Sequence, residues 1–212
     1  MCSNYRPATV HHLEQLGADA QQLKLSAADT YPGGQAPVIL SAEGKSRQCA
    51  LATFGLLPVW AKDRSFAKRT YNARAETVAE KPSFRHAWSH RQLCVVPAAA
   101  FYEPCYETGK AVWWRIERAG GGPMAIAGMW ETKRWPDGGP DLSFTMLTVN
   151  ADDHPLMSRF HKPEDEKRTV VVLDEANIDR WLLASSPEQM RQLLANSQQV
   201  ELVATEGRLG TN

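Results

Sequence analysis

The sequence predicts an α+β fold: a single domain over residues 1–212, built on mostly antiparallel sheet with a few peripheral helices. Three observations carry this. Strand-like runs outnumber helix-like ones. The two kinds do not alternate strictly, as parallel βαβ units would require. No internal repeat, low-complexity tract or linker divides the 212 residues, a length that suits one well-filled domain.

The elements follow in chain order. Thr9 to Leu16 reads as a short helix with Thr9 as cap and Gly17 as stop. Pro37–Leu40 and Gln48–Phe54 read as a hairpin turning at Glu43-Gly44-Lys45. Ser83 to Trp88 suits one or two helical turns. Strand-like runs come next at Leu93–Val96, Ala100–Tyr102, Val112–Ile116, Met124–Trp130 and Phe144–Val149, the last two separated by the Gly/Pro-rich loop Trp135–Pro140. Asp152–Phe160 is expected to be helical, Thr169–Leu173 a strand and Ile178–Leu183 a helix. Ser186 then caps a helix with Pro187 at its first position, and Val200–Ala204 closes the chain as a strand.

Composition narrows the function classes. Hydrophobic residues make up 43% and charged residues 23%, an ordinary globular balance. No apolar run is long enough to span a bilayer, and the basic-then-apolar pattern of a signal peptide is absent, so a cytoplasmic location without membrane partners is expected. Cys2, Cys49, Cys94 and Cys105 are widely spaced, with no C-x-x-C and no paired histidine spacing. They read as reduced thiols, forming neither a disulfide frame nor a metal site, and Cys49 and Cys94 read as small core residues. Net charge is zero, but residues 62–91 hold eight Lys/Arg (62, 64, 68, 69, 74, 81, 85, 91) against three acids (63, 76, 80). Trp60, Phe66, Tyr71, Phe84 and Trp88 interleave with them. Such a stretch suits a single nucleic-acid strand, whose phosphates need neutralising and whose bases can stack. A solvated basic face over a few core aromatics would read the same way.

The chain opens Met-Cys. Cys2 is small enough for the initiator methionine to be removed, which would leave a free α-amine and a thiol on adjacent carbons. Their reference pKa values, about 7.7–8 and about 8.5, leave both partly nucleophilic near neutrality. A 1,2-aminothiol condenses with an aldehyde: the amine forms an imine, and the thiol closes a five-membered thiazolidine. Taken alone, Cys2 reads first as a terminal residue without a role.

Five ordered segments change that reading: FGLLPVWAKD, YNARAETVAEKPSFRHAW, CVVPAAAFYEP, MAIAGMWE and TVNADDHPLMSRFHKP, after an N-terminal Met-Cys. Together they resemble the SRAP family, the SOS-response-associated peptidase or abasic-site processing proteins, from Met1 to about Leu182. The resemblance implies a compact α+β domain around curved antiparallel sheet. It also implies recognition of abasic sites in single-stranded DNA, and a covalent thiazolidine crosslink through Cys2 once Met1 has been removed by autoproteolysis. Such a crosslink would shield the lesion. The resemblance implies no cofactor or metal. The expected protein is a monomer, associated with the bacterial nucleoid when bound to DNA.

Residue roles carry over by motif. Cys2 matches the family's nucleophile, and Asn72 in Asn-Ala-Arg-Ala-Glu-Thr matches the amide that orients amine and sugar. Glu103 in Phe-Tyr-Glu matches the acid/base. His161 in Arg-Phe-His matches the histidine that meets the opened sugar. Read without the family, Glu103 could be a buried ion-pair partner, His161 a structural histidine and Asn72 a turn residue. Arg74 and Arg85 match basic positions expected to contact DNA, and Trp60 is a candidate for stacking on bases. Departures from the family leave Arg6 and Arg168 as further DNA-binding candidates. Cys2-Ser3-Asn4-Tyr5 replaces Cys-Gly-Arg-Phe, moving the arginine to Arg6; Ala100-Phe101-Tyr102-Glu103-Pro104 replaces Gly-Phe-Tyr-Glu-Trp; and Lys162–Lys167 reads as an insertion before Arg168. Two rivals stand beside this reading. One is a cysteine N-terminal-nucleophile amidohydrolase, for which the basic, aromatic stretch would be superfluous. The other is a non-covalent single-strand binder, for which Cys2, Glu103 and His161 would be dispensable.

Overall fold

The computed structural model describes residues 2–20, 23–42, 47–195 and 200–207. Met1, whose removal the sequence reading expects, and the hairpin turn at Glu43-Gly44-Lys45 lie outside the described residues. Twelve strands and four α-helices are described. The strands are β1 (Tyr5–Pro7), β2 (Ala18–Asp19), β3 (Gln35–Ser41), β4 (Arg47–Phe54), β5 (Asn72–Arg74), β6 (Leu93–Cys105), β7 (Val112–Arg118), β8 (Met124–Arg134), β9 (Pro140–Asn150), β10 (Arg168–Val170), β11 (Val172–Leu173) and β12 (Leu202–Glu206). The helices are α1 (Val10–Gln15), α2 (Arg85–Ser89), α3 (Glu175–Leu182) and α4 (Pro187–Ala195).

Strands β8, β9, β4, β3 and β6 pair in a ring that returns from β6 to β8, closing a barrel. Most pairings are antiparallel, as predicted; β2–β4, β4–β9 and β5–β9 are parallel. Two long strands organise the rest. On one edge of β6, β8 gives way to β7, and on the other β3 gives way to β1. On β9, β8 gives way to β10 and β4 to β5. The short strands β1, β5 and β10 are thereby brought to the mouth of the barrel.

Alternation along the strands separates two cores. Phe54, Cys94, Val96, Phe101, Ile126, Phe144 and Met146 cluster with Tyr5 and Phe160, with no α-helix residue in the cluster. Their neighbours Val95, Ala127 and Leu147 face the other way, under Leu13, Trp88, Ile178, Trp181 and Leu193. Helices therefore cover the outer face only. Their ends follow the sequence. Thr9 Oγ1 accepts from His12 N while His12 Nδ1 accepts from Thr9 N, closing a capping box at the start of α1. Ser186 Oγ accepts from Gln189 N at the start of α4, and Asp174 caps α3 through Asn177 N.

The structure corrects four expectations. The two runs Leu93–Val96 and Ala100–Tyr102 form one strand, because Pro97 falls where β3 hands over to β1, and its carbonyl still accepts from Ala8 N at 3.0 Å. Asp152–Phe160 keeps only a 3₁₀ turn at Met157–Arg159. Pro155 disfavours a helix at His154, and His154 Nδ1 accepts from Leu156 N and Met157 N in its place. Thr169–Leu173 splits: β10 follows β9 and β11 follows β8, with Val171 bonded to both Leu147 and Ala127. Cys49 is half-buried, whereas Cys94 is fully enclosed.

Gly55 joins β4 to the basic stretch at φ +115°, and a Cβ there would lie 2.1 Å from the Ala67 carbonyl oxygen. Gly55→Ala is therefore expected to cost several kcal/mol, upwards of about 4. Gly138→Ala, where nothing lies within 4 Å, should change stability by less than about 0.5 kcal/mol. Urea denaturation of the two variants checks the contrast.

Candidate active site

Four of the sequence-predicted residues converge at the barrel mouth. Cys2 is 1% exposed. Its Sγ–H points to the Asn4 carbonyl at 3.5 Å, and its own carbonyl accepts from Asn72 Nδ2 at 2.8 Å. The Asn4 carbonyl also accepts from Tyr102 N, extending the β1–β6 ladder toward the thiol. Asn72 opens β5 opposite Met146, on the inner face, while Ala73 faces the helices. Glu103 shares its side of β6 with Phe101, which pairs with Tyr5 of β1, so its carboxyl is directed inward and is 2% exposed.

His161 reaches the site by a different route. Its backbone lies in the left-handed region, φ +66°, a strained position for a side chain of this size. The position is held because His161 N donates to the Pro104 carbonyl at 2.9 Å, beside Glu103. On the ring, Nε2 lies 2.9 Å from the Arg168 carbonyl. A carbonyl can only accept, so Nε2 carries hydrogen and Nδ1 is left to face Glu103 Oε2 at 3.4 Å. Lys167 and Asp165 are the other charged side chains acting on this ring.

Burial sets the proton inventory. It pushes the Glu103 carboxyl up to about 7. Burial likewise pushes the His161 imidazole below its ordinary value. The Cys2 thiol is driven well above the usual thiol range, by burial first and the Glu103 charge second. Near neutrality Glu103 is therefore shared between its protonated and ionised forms, beside an imidazole biased toward neutral and a thiol biased toward protonated. An acid poised near neutral pH, beside a nucleophile that must lose a proton, is suited to acid–base chemistry. The Asn72 Oδ1 is buried with no hydrogen-bond partner among the described residues, an acceptor open to a ligand.

The expected DNA contacts are placed less uniformly. Arg85 is exposed at the first position of α2. Trp60 is half-exposed; its Nε1 donates to the Pro82 carbonyl at 3.4 Å and its ring meets the Phe66 ring edge-on at 5.0 Å. Arg74 is exposed at the end of β5, with Nη1 on Glu166 at 2.6 Å. Arg6 turns to the opposite face of β1 from Tyr5, where it pairs with Asp29, which also accepts from the Tyr102 hydroxyl. Arg168 is enclosed: both terminal nitrogens are engaged by Glu76, Glu166 and Thr148. Two residues of the site were given no catalytic part by the sequence reading. Tyr71 is half-buried beside Cys2 and Glu103, and its hydroxyl is pushed up by burial and then by their charges. Asn4 is 1% exposed, with both amide atoms unpartnered among the described residues. In the sequence Tyr71 stands only as one of the aromatics among the basic residues, next to Asn72, and Asn4 only within the departure at residues 2–5.

Among the described residues no group of three or more His, Cys, Asp or Glu side chains is placed to hold a metal ion. A profile of the SOS response associated peptidase (SRAP) family matches residues 1–207. Abasic site processing protein YoqW of Bacillus subtilis (strain 168) is 32% identical over 155 residues, covering 72% of this chain and 66% of that protein. Abasic site processing protein HMCES of Pongo abelii is 28% identical over 196 residues, and the chain spans about half of its length. A crystal structure of a protein from Bordetella bronchiseptica superposes with a TM-score of 0.84 at 33% identity, covering 98% of this chain and 100% of that one. A Bacteroides thetaiotaomicron protein at 20% identity shares the fold with a TM-score of 0.81.

The raised Glu103 value has a signed consequence. The folded state holds this proton up to about pH 7, whereas the unfolded chain releases it near 4.5. The contribution of Glu103 to stability is therefore fully present below pH 4.5 and is lost as pH rises through 7. Glu103→Gln, which cannot ionise, should match wild type at pH 4 and exceed it at pH 8 by roughly 3 kcal/mol. Guanidinium denaturation of both proteins across that range measures the difference; a constant offset would contradict the buried-proton assignment.

Proposed function

The chain belongs to the SOS response associated peptidase family, and from that membership and the setting of Cys2 we propose that it processes abasic sites in single-stranded DNA by capturing them covalently. The observation that carries the reading is the Cys2 thiol, enclosed beside an amide, a carboxyl and an imidazole. In this reading Met1 is first removed by the protein itself, because an acylated nitrogen cannot form an imine. The Cys2 amine adds to the open-chain aldehyde of the abasic deoxyribose, giving a carbinolamine. Glu103 protonates its departing hydroxyl, water leaves, and an imine remains. The Cys2 sulfur then adds to the imine carbon, its proton passing by way of Glu103 to the nitrogen. The product is a thiazolidine, and the balance is aminothiol plus aldehyde giving ring plus water.

The other residues have positioning and binding parts. Asn72 holds the Cys2 carbonyl and offers Oδ1 to the amine or to a sugar hydroxyl. His161 exchanges a proton with Glu103 and meets the hydroxyl released when the sugar ring opens. Arg85, Arg74 and Trp60 form the DNA contact, with Lys62, Lys68, Lys81 and Arg91 exposed in the same stretch. Of the two sequence-derived candidates beside them, Arg6 is paired with Asp29, and Arg168 is enclosed and paired with Glu76.

The decisive measurement is a denaturing gel after incubation with abasic, intact and duplex oligonucleotides. Wild type should give a heat-stable band with the abasic single strand, and its intact mass should lack Met1. Cys2→Ala should give none while still binding single strands weakly, and Cys2→Ser should give a less stable product. A full-strength adduct from Cys2→Ala would sink the mechanism. Absence of any band from wild type would favour the non-covalent binder or the amidohydrolase.

The DNA track is tested separately on an unmodified strand by fluorescence anisotropy at several salt concentrations. Arg85→Ala should weaken binding to all sequences alike and flatten the log–log salt slope by roughly 0.7. Arg74→Ala should lose less, because Glu166 already shares its charge. Trp60→Ala should cost about 1–3 kcal/mol with little change of slope if a base stacks there.

A further inference from the structure

We propose that Arg168 is a positioning residue of the site: its guanidinium clamps the Asn72 segment to the His161 segment, and its carbonyl fixes the orientation of the His161 ring. The inference rests on the reading of Cys2, Asn72, Glu103 and His161 as the capture site. It assigns Arg168 a part in the reaction rate and none in gripping phosphate.

The geometry is specific. The Arg168 side chain is 3% exposed. Nη1 donates to Glu76 Oε1 at 3.1 Å and to Glu166 Oε1 at 2.7 Å; Nη2 donates to Glu76 Oε2 at 2.9 Å and to the Thr148 carbonyl at 2.8 Å. Glu76 lies four residues beyond Asn72, on the chain that leaves β5, and Thr148 is the β9 residue opposite Arg74. One planar fork thus ties together the segment that carries Asn72, the strand it pairs with, and β10. At the same residue, the backbone carbonyl receives the His161 Nε2–H at 2.9 Å. Shifting Arg168 would therefore release the imidazole and move it relative to Asn72.

A phosphate-binding part fits this arrangement poorly. A phosphate would have to compete with two carboxylates for a guanidinium that solvent scarcely reaches. The strain at His161 points the same way as the clamp. A non-glycine residue at φ +66° persists only where its surroundings over-determine it. Pro104, through the backbone, and Arg168, through the ring, supply those restraints.

The test compares Arg168→Lys, which keeps the charge but loses the fork, with Glu76→Gln, which weakens the clamp at its half-exposed end. Three quantities are read: single-turnover crosslinking rate to an abasic single strand from pH 5 to 9, affinity and salt slope on an unmodified strand, and the His161 ring tautomer by 15N NMR. Arg168→Lys should slow crosslinking by about tenfold or more, since small misplacements of reacting groups carry large rate penalties. It should also shift the pH profile and mix the tautomers, with affinity and slope unchanged. Glu76→Gln should act in the same direction and more weakly, and it keeps the test open if Arg168→Lys does not fold. Wild-type rate, profile and tautomer in Glu76→Gln and in any folded Arg168→Lys would overturn the proposal. So would a loss of affinity with a flattened slope, which would make Arg168 a phosphate contact. If wild type itself forms no adduct, the capture reading fails, while the tautomer measurement still judges the clamp.

Discussion

The pairing of the first residues with the second half of β6 is the constraint on which the site depends. Ordering a chain end costs about 1–2 kcal/mol per residue in backbone entropy, and here the cost is offset by a dense set of bonds. Tyr5 exchanges both main-chain hydrogen bonds with Thr30, Asn4 receives Tyr102 N, and Ala8 donates to Pro97. The fully buried Tyr5 ring packs edge-on against Phe54 at 5.3 Å. Register matters as much as affinity. A slip of one residue would send Arg6 into the apolar core and Tyr5 to the far side. Cys2 would then leave Asn72 and Glu103 together.

Because β6 and β9 each serve two neighbours along each edge, residues distant in sequence meet at the barrel mouth. Cys2 precedes β1, Asn72 opens β5, Glu103 lies on β6, and His161 comes just before β10. The shared setting is buried, and burial does the electrostatic work. A buried carboxyl retains its proton near neutral pH, a buried imidazole gives its proton up, and a buried thiol stays protonated. On the capture reading this selects the order of events. A sealed, protonated thiol reacts slowly with passing electrophiles. Once the neighbouring amine has bonded to an aldehyde carbon, sulfur attack becomes intramolecular and its effective concentration rises by orders of magnitude.

The sequence was most legible where chemistry is local. Thr9 and Ser186-Pro187 mark helix starts through bonds made within three residues, and the structure has helices beginning there, whereas α3 starts after its Asp174 cap, a turn ahead of the expected Ile178. The main strands were legible from apolar runs. What escaped was decided by partners far along the chain. β5 is three residues long and exists because β9 offers a free edge beside Asn72. The continuity of β6 through Pro97 depends on which strand lies alongside, and no pattern within 93–105 reports that. Charge was the least legible of all. The basic stretch looked uniform in sequence, yet Arg64 is met by Asp137 and Asp141, and Arg74 by Glu166. Arg168 showed only a charged side chain next to an apparent insertion; its enclosure needed Glu76, Thr148 and Glu166 to be brought around it.

That insertion connects the surface to the interior. Glu166 is partly exposed and presents one oxygen to Arg168 at 2.7 Å and the other to Arg74 at 2.6 Å. A single carboxylate thus closes the outer end of a buried clamp and neutralises a surface cation. The two duties respond differently to solvent. The Arg74 contact sits on exposed groups, where salt screens it and its net worth is at most about 1 kcal/mol. The Arg168 contact is sheltered and backed by a bidentate pair from Glu76, so removing one partner leaves a buried charge short of its complement. Arg74 is therefore the member of this network that can exchange its partner, and Arg168 is the one that cannot. On the capture reading, the same segment meets the DNA strand at its surface while the ring of His161, 2.9 Å from the Arg168 carbonyl, keeps its place.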